Sequence, residues 1–363
     1  MKPTKRDYSL LGRDAAAAVE RGLASAAWYH TDVPRKTMKE LMQRRDGPAM
    51  RDTAIWLGAM AVLAAGVIWL WPSAWAIPPL LAYGVLYGSA SDSRWHECGH
   101  GTAFKTRWMN DVVYHIASFM IMRNPVEWRW SHARHHTDTI IVGRDPEIVA
   151  MRPPDLARIL LNLFGIVDAW VAMKAMVLNV LGILTEEEKS FIPESEQPKV
   201  IRVARVWLAI YAATVALALL LGSILPLMLV GLPRLYGAWH HVMTGVLQHA
   251  GLAENVLDHR LNSRTVYMNP ISRFIYWNMN YHVEHHMFPM VPYHALPQLH
   301  ELIRHDLPAA DTGIWQAYRA AWPALKRQLR HEDWFIKREL PATAKPYRPE
   351  FYGDVEPVMG AAA

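Results

Sequence analysis

Three long stretches without a single charge constrain this chain more than any other feature. Thr53 to Trp71 and Ala74 to Ser91 run for nineteen and eighteen residues, with Trp71-Pro72-Ser73 at the junction, and Val206 to Pro233 runs for twenty-eight. A helix needs about twenty apolar residues to cross a bilayer core. Trp56, Trp69, Trp71, Trp75, Trp207 and Trp239 lie near the ends of these runs, as interfacial aromatics do. A buried soluble hairpin would place them less regularly. The lipid bilayer is therefore the first expected partner.

Charge sets the orientation. Residues 1–52 hold eleven lysines and arginines, whereas the connections at Pro72 and at Ser223 to Pro226 hold no charge. The positive-inside rule puts the N-terminus in the cytoplasm and both connections outside. No apolar secretory segment precedes the first run. The expected fold is all-α: four transmembrane helices in two hairpins, at about 53–71, 74–93, 203–222 and 224–243, under a cytoplasmic helical cap. Residues 1–52 are expected to form a charged N-terminal segment, 53–310 the main membrane unit, and 311–363 a polar C-terminal segment whose Ala361 to Ala363 end is expected to be disordered. Leu156 to Leu184 is apolar but interrupted by Asp168 and Lys174, and reads as a helix at the interface or packed on the cap. The multi-pass protein belongs in an inner, cytoplasmic membrane, with both termini and the polar blocks on the cytoplasmic side.

The chain as a whole has an unusual residue balance. Eighteen histidines stand against one cysteine, Cys98, which excludes a disulfide framework, a Cys-rich zinc module and an iron–sulfur cluster. His96-Glu97-Cys98-Gly99-His100 has histidines at i and i+4. His132-Ala133-Arg134-His135-His136 and His282-Val283-Glu284-His285-His286 each have them at i, i+3 and i+4, and His249 follows the last apolar run. On helices these spacings put imidazoles on one face. Burying that many polar rings unpaired is costly, and neutral imidazole suits iron, copper and zinc. A tetrahedral zinc takes at most four protein ligands, so nine imidazoles fit two ions better than one. Isolated histidines such as His30 and His115 carry no such signal.

For all of these histidines to meet, the 28-residue run must turn near Gly222 to Pro226 and return to the cytoplasmic side. That turn places Arg234 inside the fourth span, where a charge must face the bundle or water. Arg234 is read as supporting the site rather than as binding substrate.

The three boxes, together with Asn280-Tyr281 ahead of the last and Met287-Phe288-Pro289 behind it, resemble the integral-membrane fatty acid desaturase and hydroxylase superfamily over roughly residues 50–310. The resemblance implies a non-haem di-iron centre held by His96, His100, His132, His135, His136, His282, His285 and His286, with His249 best matching a ninth ligand. Alkane hydroxylases of that superfamily tend to have Glu-His-Tyr-Gly after the Asn-Tyr, so this chain is more similar to the desaturase side. The stretch from Thr265 through Val291 to Pro297 is similar to bacterial desaturase-like proteins, some of which modify small amino-acid-like or aromatic compounds.

On that resemblance the expected activity is O2-dependent desaturation or hydroxylation of an unactivated C–H bond, with a fatty acyl lipid as substrate; an alkane or a small metabolite is the alternative. Metal-bound histidines usually donate their second N–H to a carboxylate or carbonyl, which makes Glu97, Glu284, Asp92, Asp138 and Asp145 candidate supports. Cys98 lies two residues from each flanking histidine and should point off the ligand face. No nucleotide fingerprint, ferredoxin-like cysteine spacing or cytochrome b5 His-Pro-Gly-Gly is present. A separate electron donor is expected, either a ferredoxin with its reductase or a cytochrome b5-like protein. The net charge of +5 suits an acidic partner or anionic lipid, and no basic tract interleaved with aromatics points to nucleic acid.

Two other classes compete. His96-Glu97-Cys98-Gly99-His100 also fits the H-E-x-x-H of zinc metalloproteases, which would leave five or six clustered histidines without a role. A transporter would hold its site near the bilayer midplane, whereas these histidines lie beyond the apolar runs.

Overall fold

The computed structural model describes residues 6–24 and 27–347. Lys2 and Lys5 of the basic segment and the Ala361 to Ala363 tail lie outside the described residues. Among those described there is no strand, only isolated bridges between Thr265 and Tyr281 and between Val266 and Asp311. The regular elements of the described residues are all helices.

Helix α1, Asp46–Leu70, contains the first apolar run. Its side chains are bare where a soluble helix would cover them: Val62 is 72% and Trp69 84% exposed. Apolar surface on that scale is satisfied by lipid. The second run continues well past its expected end. It passes from a 3-10 turn, Ala74–Ala76, into α2, Ile77–Val85, then through a π turn, Leu86–Ala90, into α3, Ser91–Gly99. The π turn inserts an extra residue into the helix and re-aims everything after it, including His96.

Helices α4, Arg107–Ile121, and α5, Pro125–Thr137, follow. Asn124 starts α5 by accepting a hydrogen bond from Val126 N–H, with Pro125 in the first turn where its missing donor costs nothing. The apolar segment from Leu156 forms α6, Leu156–Asn162, and α7, Ile166–Val180, bent by 82° at a break containing Gly165. Gly165 has φ of +60°, and a Cβ there would lie 2.6 Å from the Arg234 carbonyl oxygen. Only glycine permits both the bend and that approach.

Helix α8, Gln197–Leu220, contains the first part of the third run and exposes Leu220 to 85%. The second part is not one helix. It is divided into α9, Leu225–Leu229, α10, Pro233–Tyr236, and α11, Trp239–His249. Pro226 and Pro233 each begin a helix, and Gly231 has φ of +89°. Those residues interrupt the backbone ladder that a continuous span would need.

Two helical stretches, Arg35–Leu70 and Gln197–Leu220, are long and apolar enough to cross a membrane, and the bent α6–α7 pair makes three if it is one broken span. The expected segments 74–93 and 224–243 are helical but interrupted.

The flanking segments pack on the same core. Tyr29 and Thr31 both donate to Asp306, and Arg260 stacks over the Tyr29 ring. Near the C-terminus α13, Ile314–Gln328, buries Ala317 and Ala321 against Leu247 of α11, while Tyr318 donates to the Met243 carbonyl. The last box lies between α11 and α13 in sequence, on α12, His282–Met287.

Candidate metal centre

All nine histidines singled out from the sequence come together. They do so in two groups: His96, His100, His132, His136 and His285 in one, and His135, His249, His282 and His286 in the other, with one donor atom from each residue within 4.8 Å of every other in its group. Each group draws on several helices. The first takes His96 and His100 from the end of α3, His132 and His136 from one face of α5, and His285 from α12. Because His135 and His136 are adjacent on α5, they point into different groups. The two groups touch, with the His136 and His286 rings 4.5 Å apart between centroids.

The donors face inward through Nε2. His132 Nε2 lies 3.0 Å from His100 Nε2 and 3.0 Å from His136 Nε2, and His285 Nε2 lies 3.2 Å from His136 Nε2. In the second group His282 Nε2 is 3.1 Å from His249 Nε2 and 2.9 Å from His286 Nε2. Nitrogens held about 2.1 Å from one ion at right angles are separated by about 3 Å, so these edges suit a shared ion. Both ring nitrogens of His96 are buried without a hydrogen-bond partner. Orphaned donors of that kind are expensive unless a metal takes them.

Electrostatics keep the rings neutral, the form that ligates. Burial pulls His100 down to about 4 and His249 to about 3, and holds His96, His132, His136, His282, His285 and His286 well below their ordinary value. His135 is the exception. Burial lowers it, but the Asp145 carboxylate outweighs that effect and raises it.

Outer partners orient four of the rings through Nδ1. Asp145 bonds His135 Nδ1 at 2.8 Å, Glu147 bonds His132 Nδ1 at 2.8 Å, the Asn262 carbonyl accepts from His249 Nδ1 at 2.7 Å, and Thr139 Oγ1 lies 3.3 Å from His286 Nδ1. Such contacts fix the tautomer that leaves Nε2 free to ligate. Asp145 was among the acids singled out from the sequence; Glu147, Asn262 and Thr139 were not. The only hint for Glu147 was its place in the acidic loop after the second box.

The other sequence candidates bond elsewhere. Glu97 is fully buried, accepts from Thr102 and from Tyr293 N–H, and is pushed up to about 7 by that burial. Glu284 bonds Thr265 and His300. Asp138 pairs with Arg144 at 2.9 Å, and Asp92 with Arg123 at 3.5 Å. Arg234 is buried, donates to the Ile121 carbonyl, and lies 3.4 Å from His241 and 3.8 Å from Asp168. Cys98 is buried in the main apolar core with Trp95 and Trp128. Both contacts of Glu97 fall on Oε1 inside the core, away from water, which does not suit the general base of a zinc protease.

A cavity of about 430 Å³ adjoins the centre, reaching His96, His132, His135, His249 and His282. Its walls also carry Asp92, Arg123, Glu127, Glu147, Asp168 and Arg234, interspersed with apolar side chains such as Met176, Trp207 and Val246.

Glu147→Gln and Asp145→Asn each leave a ring in place but weaken the acceptor that orients it. Each is expected to cost about 10- to 100-fold in metal affinity or turnover. Metal retained after dialysis against a chelator measures this; full retention in both variants would contradict an orienting role.

The model of the family described as Fatty acid desaturase matches residues 70–318. Curated proteins similar to this chain include the acyl-lipid omega-3 desaturase (cytochrome b5) of the endoplasmic reticulum of Arabidopsis thaliana, 24% identical over 277 residues and covering 69% of each chain. The sn-1 oleoyl-lipid 12-desaturase of Synechocystis sp. is 32% identical over 111 residues, 30% of each chain. The chloroplastic sn-2 acyl-lipid omega-3 desaturase (ferredoxin) of Helianthus annuus is 26% identical over 282 residues, 73% of this chain and 62% of that one. The matched region contains all three histidine boxes and His249, and with most of its length covered the chain belongs to the fatty acid desaturase family.

Proposed function

We propose that this chain is a membrane-bound non-haem di-iron oxidoreductase that desaturates or hydroxylates an unactivated C–H bond, with a fatty acyl lipid as its first substrate class. The observation that carries the reading is the pair of adjoining histidine groups, five donors beside four, with Nδ1 anchored by protein partners in both. His96, His100, His132, His136 and His285 would hold one iron, and His135, His249, His282 and His286 the other. Bound iron supplies reduction of O2 and removal of hydrogen from carbon. Desaturation converts O2, two substrate hydrogens, two electrons and two protons into two waters; hydroxylation places one oxygen in the product and one in water.

The protein's own part is positioning. Asp145 and Glu147 hold ring orientation, Trp95 and Trp128 exclude water beside His96 and His132, and the cavity sets which C–H bond faces the centre. Relatives named for acyl-lipid substrates support the lipid reading. The charged cavity wall supports a second reading, in which the substrate is a small polar metabolite. Relatives named for cytochrome b5 and for ferredoxin support a separate one-electron donor.

Purified protein is expected to hold about two irons per chain, the number two adjoining imidazole sites can take. With O2 and a ferredoxin system, a mass-spectrometric screen of acyl lipids, alkanes and small polar amines should give one class of product that depends on O2. A single zinc, or product formed without O2, would overturn the reading.

In the membrane we propose four crossings in two hairpins, with both termini and the centre cytoplasmic, residues 53–310 as the catalytic unit, and 1–52 and 311–363 as flanking segments. Because Cys98 is buried, single-cysteine probes have little background. Ser73→Cys and Ser223→Cys should label with an impermeant maleimide in intact cells, and Lys199→Cys only after permeabilisation. The reverse pattern would refute the orientation.

A further inference from the structure

A tenth histidine, outside every box, abuts the centre. His259 is buried, and its ring lies 5.2 Å from that of His286, a member of the second histidine group. On its other side Trp28 stacks nearly parallel, with centroids 4.2 Å apart and planes 4° from each other. Trp28 is only half-buried, and its indole N–H donates to the Thr137 carbonyl at the end of the helix bearing the second box. The three rings therefore form an unbroken aromatic path from the outer surface to one half of the centre. Neither Trp28 nor His259 has a role in the site described above.

Two guanidinium groups lie close to the helix end that Trp28 contacts. Asp138, next to Thr137, is shared by Arg134 and Arg144, two cations on one carboxylate, and both guanidinium groups remain partly exposed. Such a surplus attracts an acidic protein and steers its approach. The chain itself has no flavin, haem or iron–sulfur motif, so both electrons of each turnover must come from outside.

We infer that Trp28 marks the docking site of an acidic one-electron donor of the ferredoxin type, and that Trp28 and His259 form the route by which its electrons reach the His286 side of the centre. Each reduced ferredoxin is oxidised by one electron at each encounter, and two encounters supply the two electrons that a turnover takes from outside, the other two needed to reduce O2 coming from the substrate C–H bonds. Trp28 and His259 are positioning residues: they shorten the gap between donor and centre and are not themselves consumed. The inference rests on the di-iron reading.

The test follows the iron absorption band anaerobically in rapid mixing, in the iron-loaded, detergent-solubilised full chain. One arm uses a plant-type [2Fe–2S] ferredoxin reduced by NADPH and its reductase, and the other uses dithionite, which needs no docking site. Trp28→Ala is expected to slow the ferredoxin arm by about tenfold, the scale on which outer residues act on such centres, with dithionite reduction and iron content unchanged. Trp28→Phe should keep most of the wild-type rate. The wild-type ferredoxin rate should fall as ionic strength rises from about 0.05 to about 0.5 M, over which screening shortens from about 14 to about 4 Å.

Wild-type speed in Trp28→Ala, or equal slowing in both arms, would overturn the route. A second measurement does not depend on that variant folding. Oxidised ferredoxin added to the metal-free wild-type protein should protect Trp28 from oxidative footprinting while leaving Trp315, which is 77% exposed, unprotected. Protection of Trp315 alone would place the donor elsewhere. A protein with no iron band that dithionite can bleach would instead refute the di-iron reading beneath the proposal.

Discussion

His282→Ala is expected to abolish O2-dependent product formation and to lower bound iron from about two per chain to about one. His282 is buried, and its Nε2 lies within 3.1 Å of His249 Nε2 and 2.9 Å of His286 Nε2. Alanine would remove one of only four donors in its group and leave His135, His249 and His286. The five histidines of the other group keep their full set, so the loss should be confined to one ion. Elemental analysis and product assay on the same membrane preparation distinguish this from unfolding, because the variant should still extract as a monodisperse species. His115→Ala provides the control: His115 lies on the exposed side of α4, away from both groups, and should retain both irons. Two irons and normal turnover in His282→Ala would refute the assignment of the second group.

Gly237→Val should fail at an earlier stage, in folding. Gly84 and Gly88 stand four residues apart on the second apolar segment and meet the backbone around Gly237 at close range. A Cβ built on Gly237 falls 1.7 Å from the Gly84 carbonyl oxygen, and one on Gly88 falls 2.9 Å from the Gly237 carbonyl carbon and from the Pro233 oxygen. Neither contact is with the flexible end of a side chain, so the helices themselves would have to separate. Small residues are what allow membrane helices to approach so closely. Ser89 reinforces the contact by donating to the Gly237 carbonyl at 2.5 Å.

Forcing side-chain bulk into such a contact costs about 3 kcal/mol, a large fraction of a protein's net stability. The consequence reaches the metal centre. The same two segments continue into α3, with His96, and α11, with His249, so this contact sets the separation of histidines that serve different groups. Gly237→Val is expected to aggregate on extraction or to melt far below wild type, with iron lost from both groups. Gly58→Ala, where a Cβ meets nothing within 4 Å, should be tolerated. A Gly237→Val protein with wild-type melting and full iron would show that the close packing is dispensable.

Much of the centre is legible from local spacing. Histidines at i, i+3 and i+4 share a helical face whatever the surrounding fold, and the conflict between many imidazoles and apolar runs points to metal before any contact is known. Spacing does not say which histidine joins which group. His135 and His136 are neighbours in sequence yet serve different groups because successive helical side chains point about 100° apart and α5 lies between the two. The outer partners were harder still. Glu147 and Thr139 reach their histidines from turns, and Asn262 does so through its backbone carbonyl at the end of the short helix His259–Asn262, where neither spacing nor periodicity announces a contact. Glu97 and Glu284, adjacent to ligands, turn to Thr102 and His300 because residues next to a ligand on a helix face away from it.

The membrane segments divide in the same way. The sequence by itself determined that the chain is helical, that long apolar stretches must meet lipid and that the histidines cluster in a way that suits metal, because these depend on composition and helical period alone. Only the tertiary structure decided where the helices break, which glycines bring the second and fourth segments together, which acids orient the rings and how nine imidazoles divide into five and four. Those outcomes depend on contacts between residues far apart in the chain, and a one-dimensional pattern carries no record of which distant surfaces will meet.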